Sequence, residues 1–324
     1  MLLKIQILTL LVLQPFIELP SQTCCSGGVP LTGNLGMPSS LRGTWQLSPS
    51  YDLNYMNTLK SGDQSLNDAN RKRITQSLMF ETGYSITDFF QISALFTYVF
   101  QSRETDVSGA KNKDFIHGIG DAVLLFTYRA GGGIYQRWEL LLGMGPKLPL
   151  GSTNMTRPDG ISYSADLQPG SGAWDAIFWG LLSRTGILRP TSNISLRMIY
   201  RYTGINDDYL DFSSYRFGNE FQIITGISDQ VNIGTEIFNP SLMLRYRNTR
   251  ADFQGELELP NTGGNWLYLG PGLVYQASPD FHARLAAEIP LYSNLQGTQL
   301  TTDFRITAGF YFRINSRKVS SINI

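Results

Sequence analysis

The chain has 324 residues, with 26 Lys+Arg against 26 Asp+Glu, and 12% of its residues are aromatic. The balanced charge gives no electrostatic basis for binding nucleic acid or an anionic membrane surface. The mildly negative mean hydropathy excludes a helical membrane protein, and the length is greater than that of most single soluble domains.

Residues 1–21 have the pattern of a secretory signal peptide. One basic residue, Lys4, precedes the apolar run Ile5–Leu13, which is too short to span a bilayer. We expect cleavage near Ser21-Gln22, and an uncleaved amphipathic anchor is the alternative. No later segment has the length and apolarity of a transmembrane helix.

Residues 22–42 form a leader before the first predicted strand. The segment Thr23–Ser40 is rich in Gly and Pro and lacks periodicity, which predicts loop or extended chain. It either enters from the periplasmic side as a plug or hangs free as a disordered leader. The candidate gate residues in it are Cys24, Cys25, Gly27, Gly28 and Pro30.

Cys24 and Cys25 are the only two cysteines and are adjacent. In an oxidising compartment they are compatible with a strained vicinal disulfide, an intermolecular bridge, or half of a metal site. A lipid-modified Cys24 is a further alternative, although Pro20–Thr23 is a poor match to the lipidation signal.

A period of two residues dominates the rest of the chain. In Asp121–Arg129, Ser195–Tyr202 and Phe304–Arg313, an apolar, aromatic face alternates with a face that carries charges. A soluble barrel has too small a core for so much aromatic surface, whereas a membrane barrel turns that face to lipid and its charges inward. Apolar helices would be retained in the inner membrane, whereas barrel strands are not. We therefore expect this protein in the outer membrane of a Gram-negative bacterium.

The pattern predicts an all-β fold: a transmembrane, antiparallel, up-and-down β-barrel of about 12 strands over residues 43–313, followed by a tail at 314–324. The predicted strands are approximately 43–56, 73–84, 89–101, 118–130, 135–148, 172–184, 192–204, 215–227, 230–247, 264–277, 281–293 and 300–313.

The predicted connections alternate between short and long. The short ones, such as 85–88, 228–230 and 278–280, contain Ser, Asp and Pro, which favour turns. The long ones are 57–72, 102–117, 149–171, 205–214, 248–263 and 294–299. Short periplasmic turns and long outer loops are typical of outer-membrane barrels, so both termini are expected in the periplasm.

The ninth predicted strand changes phase. Val231, Ile233 and Ile237 form its apolar set before Asn239-Pro240, and Leu242 begins the opposite set after it. A β-bulge at Asn239-Pro240 explains this change, because proline is tolerated in strands mainly at bulges and edges.

The face opposite the apolar set carries mixed charges, which we expect to form ion pairs across the lumen. Such pairs either fill a small barrel as a polar core or line a selective pore. The candidates for the lumen and its mouth are Asp121, Arg129, Lys147, Asp175, Arg197, Arg201, Glu220, Glu236, Arg245, Arg284, Glu288 and Arg305; further inward charges are Asp52, Glu81, Arg137, Glu139, Arg216, Arg247 and Arg313.

Several motifs resemble one family. Gly118-Ile119-Gly120-Asp121, Tyr128-Arg129, Gly145–Gly151 and Gln168–Gly172 with Asp175 look like the pattern of the phenol meta-pathway degradation-like outer-membrane proteins. That family is similar in turn to the long-chain fatty-acid transporter barrels. The resemblance covers residues 115–205 and implies an outer-membrane barrel that passes hydrophobic or aromatic small molecules.

Within these motifs, Asp121, Lys147 and Asp175 are expected on neighbouring strands near the outer mouth. A lysine between two aspartates is most simply a salt bridge, and contact with a substrate is the alternative.

The expected function is therefore an outer-membrane channel for small, hydrophobic or aromatic solutes, and the alternative is a non-transporting receptor, adhesin or structural barrel. Its expected partners are outer-membrane lipid, the solute and the barrel-assembly machinery, without nucleic acid or a cofactor. Catalysis is the least favoured class, because His117 and His282 are the only histidines and no catalytic motif is present. His117 beside Asp114 or Asp121 is the one candidate acid–base pair.

Overall fold

The computed structural model describes residues 36–315, apart from 39, 69, 108–109, 133–135 and 210–212. The predicted signal peptide, the predicted tail beyond residue 315 and the gate candidates Cys24, Cys25, Gly27, Gly28 and Pro30 lie outside the described residues. Among the described residues, no helix is both long and apolar enough to cross a bilayer.

The chain folds into a closed antiparallel barrel of 12 strands, which confirms the predicted fold class. Neighbours in sequence pair with each other, and pairing of the first strand with the last closes the wall. The strands are β1 Thr44–Ser61, β2 Arg71–Ser85, β3 Phe90–Val107, β4 Ala110–Ile119 with Ala122–Gly132, β5 Trp138–Leu148, β6 Asp175–Thr185, β7 Asn193–Tyr202, β8 Glu220–Ser228, β9 Glu236–Thr249, β10 Gly264–Ser278, β11 Phe281–Leu295 and β12 Thr298–Asn315.

The outer surface of the barrel is apolar. Side chains such as Leu78, Phe126 and Leu285 are 45–55% exposed on the outward faces, while their strand neighbours point into the lumen. Water-soluble proteins rarely expose contiguous apolar patches beyond a few hundred Å². The surface therefore requires lipid around it, and the barrel spans a membrane.

The connections differ between the two ends. The short turns carry local caps: Thr87 Oγ1 accepts hydrogen bonds from the backbone N–H groups of Phe89 and Phe90, at 3.1 and 2.9 Å. Long connections at the other end span 149–174, 203–219 and 250–263. The predicted long connections at 102–117 and 294–299 are wrong. β3 continues to Val107 and β4 begins at Ala110, and β11 and β12 are separated only by Gln296-Gly297, where Gly297 has φ 68°.

The predicted bulge in the ninth strand is also wrong. The chain reverses at Gly234, which has φ 64°, so that Val231 pairs with Phe238 in a small hairpin. β9 then runs through Asn239-Pro240 without a register shift. Val231 and Ile233 lie on the first arm of this hairpin and the set that begins at Leu242 lies on the second, which accounts for the phase change. Ile237 lies on the second arm, on the face opposite to Leu242.

The long connections fold over one end of the barrel. Asn206–Tyr209, Ser213–Arg216, Phe253–Gln254 and Leu257–Glu258 form a separate four-stranded sheet. We call the connections 149–174, 203–219 and 250–263 together the outer cap. Arg216 lies in this sheet, so its prediction as a lumen residue is wrong, because β8 begins only at Glu220.

Candidate functional site

A belt of buried charges crosses the outer end of β4 to β9. Lys147 Nζ lies 2.6 Å from Asp121 and 3.2 Å from Asp175. Asp175 is 3.9 Å from Arg201, and Arg201 is 3.4 Å from Glu220. Glu220 completes the series with Arg247 of β9 at 2.8 Å. The ionic belt therefore consists of alternating charges on successive strands: Asp121, Lys147, Asp175, Arg201, Glu220 and Arg247.

The outer cap is attached to this belt. Asp121 accepts hydrogen bonds from the backbone N–H of Gly151 at 3.1 Å and from the N–H and hydroxyl of Ser171 at 3.0 and 2.8 Å. Nearer the outer ends of the strands, Arg73 of β2 donates to the Asp166 carboxylate at 2.6 Å. Leu167 of the same connection is fully buried. The outer mouth is thus closed by folded chain rather than by a pore constriction.

Sequence reasoning missed an apolar cluster inside the lumen. Inward side chains from β2 to β8 pack together below the belt, and all are at most 7% exposed. Half-buried Leu181 and Met243 extend the cluster. Its members are Met79, Leu95, Val123, Leu125, Leu141, Ile177, Trp179, Ile199 and Ile224.

The other predicted lumen charges form smaller groups. Arg129 pairs with Glu139 at 3.1 Å near the periplasmic end, and Arg313 pairs with Asp280 at 2.8 Å. Arg197 and Arg284 lie near the buried Glu81, and the Arg197 guanidinium is 6.0 Å from the Trp179 ring. These basic groups adjoin the apolar cluster.

Two predicted inward charges lie elsewhere. Glu236 is exposed on the outward face, where it accepts a hydrogen bond from the Tyr275 hydroxyl at 2.5 Å. That prediction failed because it placed the strand start on the wrong side of the Gly234 reversal. Arg137 is exposed in the turn before β5.

The leader enters the lumen from the periplasmic end. The backbone N–H of Gly43 donates a hydrogen bond of 2.7 Å to the carbonyl of Ser85, the last residue of β2. From there the chain runs inward, and the Gly36 N–H donates to Glu81 at 3.3 Å. Gly36 has φ 90°, and a Cβ at this position would lie 2.6 Å from the Trp179 ring. The described part of the leader therefore packs against the apolar cluster.

In the described part of the wall, the pairing of β11 with β12 stops before the outer end of the barrel. Pairing between β11 and β12 ends at Glu288 and Arg305, so residues 289–295 and 298–304 are not paired with each other. Glu288 bonds instead to Arg245 of β9 at 2.5 Å, and Arg305 to Asp52 of β1 at 2.8 Å. We call this break in the ladder the wall gap. In lipid, unpaired backbone groups are costly, so such a gap is unusual in a purely structural barrel.

The histidines do not form the catalytic pair considered above. His117 is exposed on the outward face, and its Nδ1 lies 2.8 Å from the Tyr98 hydroxyl. Asp114 binds Arg103 and Arg157 instead. Among the described residues, no group of three or more His, Cys, Asp or Glu side chains is arranged to hold a metal ion.

The fold of this chain is similar to those of outer-membrane proteins of known structure. The COG4313 outer membrane channel from Pseudomonas putida F1 superposes with a TM-score of 0.67 over 88% of this chain and 100% of that one, at 11% identity. At this identity the likeness shows the fold alone, which is that of an outer-membrane barrel and agrees with the family resemblance in residues 115–205.

Two further structures are similar at lower scores. A Pseudomonas aeruginosa FadL homologue has a TM-score of 0.41 and 9% identity, covering 92% of this chain and 99% of that one. The TodX deltaS2S3 mutant monoaromatic hydrocarbon channel has a TM-score of 0.45 and 11% identity, covering 90% and 96%. No protein-family model and no curated protein matches the sequence.

Proposed function

We propose that this barrel passes small, largely apolar solutes across the outer membrane of a Gram-negative bacterium. The observation that carries the proposal is the apolar cluster inside the lumen. A polar core or a hydrophilic pore would have mainly polar side chains at this level, whereas Ile177, Trp179 and Leu181 form an apolar environment that favours an aromatic or aliphatic solute over water.

The wall gap offers a route between this cluster and lipid. The outer mouth is closed by the cap, so a solute has no straight axial path from outside. Ile289 and Phe304 are the next positions in the β11–β12 register, and both are exposed to lipid. An apolar molecule that moves through the gap stays out of water. At the inner end of the gap, Glu288 forms its ion pair with β9 and Arg305 forms its ion pair with β1, rather than with each other.

Uptake by whole cells tests the proposal, because an outer membrane with lipopolysaccharide is the barrier that such a channel bypasses. Cells that express the protein are expected to take up labelled naphthalene faster than cells without it. Leu181→Gln places an amide beside the cluster and is expected to lower uptake several-fold. Ser183→Gln, at an inward position two residues along the same strand, is the matched control. Equal uptake with and without the protein would favour a receptor or structural role.

A disulfide tests the route. With Cys24 and Cys25 replaced, cysteines at Ile289 and Phe304 are expected to seal the gap when oxidised and to lower uptake reversibly. The control pair, Leu285 and Ala308, lies in the paired part of the same ladder and should leave uptake unchanged. If both disulfides act alike, the gap is not the route.

A further inference from the structure

The outer cap holds a cavity that the transport route does not use. It has a volume of about 400 Å³ and lies between the two connections that build the outer sheet. Residues 216–219 form one side, residues 250–258 contribute the other, and Gln296 closes the edge. Cavities of this size hold small organic molecules.

The polar lining is rich in hydrogen-bond donors. Arg216 and Arg250 both face the cavity, and neither has a carboxylate within ion-pair distance among the described residues. The Arg216 guanidinium lies 4.6 Å from the Phe253 ring, a contact that holds it in place. Asn219 accepts a hydrogen bond from the Thr203 N–H at 2.9 Å through its Oδ1, which leaves its amide NH₂ available to a ligand.

The rest of the lining is apolar, with one opposing charge. Phe217 and Ala251 are both 6% exposed and form a closed floor beside the ring of Phe253. Glu258 is exposed at the rim and reduces the positive charge of the cavity. The lining therefore combines two arginines, the Asn219 amide and the rings of Phe217 and Phe253 with a single acidic side chain, Glu258.

We propose that this cavity binds a small organic anion with a flat apolar body, of the aromatic carboxylate class. The carboxylate accepts hydrogen bonds from Arg216 and Arg250, because a guanidinium presents paired donors that match a carboxylate. The ring packs on Phe217 and Phe253. The site is separate from the proposed transport of apolar solutes and adds a binding function on the outer side of the membrane.

Ligand-observed NMR on the full chain in detergent micelles tests this site, with sodium benzoate as the probe. Arg216→Gln and Arg250→Gln are each expected to weaken binding at least tenfold, and Glu258→Gln is expected to tighten it. Arg189→Gln is the control, since Arg189 is an exposed arginine paired with Asp229 at the periplasmic end. Benzyl alcohol, which keeps the ring and lacks the charge, is expected to bind at least tenfold more weakly than benzoate.

Three outcomes would overturn the proposal. They are the absence of benzoate binding, equal binding of benzyl alcohol, and benzoate binding that both arginine variants retain. Uptake of naphthalene is measured separately, so a failure of this site leaves the channel proposal standing, and a failure of uptake leaves the site to be judged by binding alone.

Discussion

Lys147 Nζ lies 2.6 Å from Asp121 Oδ2, although the lysine is 1% exposed and the aspartate 0%. Asp121 sits at the break between the two segments of β4, where Ile116 and Asp121 both point inward although one is even and the other odd. The phase of β4 therefore changes at this carboxylate. The same carboxylate also holds Gly151 and Ser171 of the cap, so the break, the belt and the cap depend on one ion pair.

Removing the lysine charge is expected to loosen the cap. Lys147→Gln leaves Asp121 buried without its cation and Asp175 with Arg201 alone, and breaking a buried ion pair in this way typically costs about 3–5 kcal/mol. A lower unfolding midpoint in denaturant and a higher conductance in planar bilayers are expected. Lys113→Gln is the control, since Lys113 pairs with Glu104 while both are largely exposed. Unchanged conductance in Lys147→Gln would mean that the belt does not hold the mouth closed.

Enlarging Gly36 is expected to displace the leader. A Cβ there would lie 2.6 Å from the Trp179 ring, and the positive φ adds strain. Gly36→Leu is therefore expected to raise ion conductance and to change the rate of solute uptake. Gly160→Leu is the matched control, because Gly160 also has a positive φ, but a Cβ added there would meet no other atom within 4 Å. If the two variants conduct alike, the leader does not obstruct the lumen.

Two adjacent residues of β11 test which face meets lipid. Leu285 is 55% exposed on the outward face, and Ala286 points into the lumen. Leu285→Arg is expected to impair assembly, because an arginine facing lipid near the midplane costs about 2–4 kcal/mol. Ala286→Arg is expected to be tolerated, since the lumen already holds Arg284 and Arg305. The folded fraction, read from heat-modifiable mobility on gels, measures the difference. Equal damage would contradict the assignment of faces.

The sequence was sufficient for the barrel and for part of the belt. The alternation of apolar and polar residues predicts that Asp121, Lys147 and Asp175 point inward. The spacing of the loops predicts that they lie on neighbouring strands. Whether Arg201, Glu220 and Arg247 continue the belt depends on the register between strands. The hydrophobic pattern fixes which face a residue lies on, but a shift of two residues leaves that face unchanged, so the pattern alone does not fix the ion-pair partners.

The apolar cluster was missed for a related reason. Val123 and Leu125 share a face with Asp121 and Arg129 in the sequence, and the charges dominate the pattern of that face. The wall gap and the cap cavity depend on pairings that strand periodicity does not encode. The reversal at Gly234 could have been predicted locally, because glycine is the residue that most readily adopts positive φ. The Asn239-Pro240 pair offered a second explanation of the same phase change, because proline is tolerated at β-bulges.

Labelling of intact cells tests the orientation. In a background without Cys24 and Cys25, cysteines at Asn154 and Glu256 are expected to react with a membrane-impermeant maleimide, because both residues are exposed in the outer cap. Cysteines at Asp88, in a short turn, and at Ser278, at the end of β10, are exposed at the opposite end of the barrel from the cap, and they are expected to react only after the outer membrane is permeabilised. The reverse pattern would place the cap in the periplasm.

The outer cap is expected to respond to pH through Asp252. Burial raises the pKa of the Asp252 carboxyl to about 6, against opposing hydrogen bonds from Tyr215 and Gly218; the nearby Asp166 raises this pKa further and Arg201 lowers it. In an unfolded chain an aspartate titrates near ~3.9. The folded cap therefore binds this proton more tightly than the open chain does. Its contribution to cap stability is complete below pH ~4 and is lost as the pH rises through about 6.

Hydrogen exchange of residues 213–218 measures this effect. After correction for intrinsic rates, their amides are expected to exchange more slowly at low pH, near about 5, than at mildly alkaline pH, because opening the cap costs more when Asp252 is protonated. Asp252→Asn cannot ionise and is expected to remove the difference, whereas Asp207→Asn, at an exposed position in the connection 203–219, should retain it. Slower exchange at the higher pH in the unmodified protein would reverse the assigned sign and show that Asp252 is stabilising as a carboxylate.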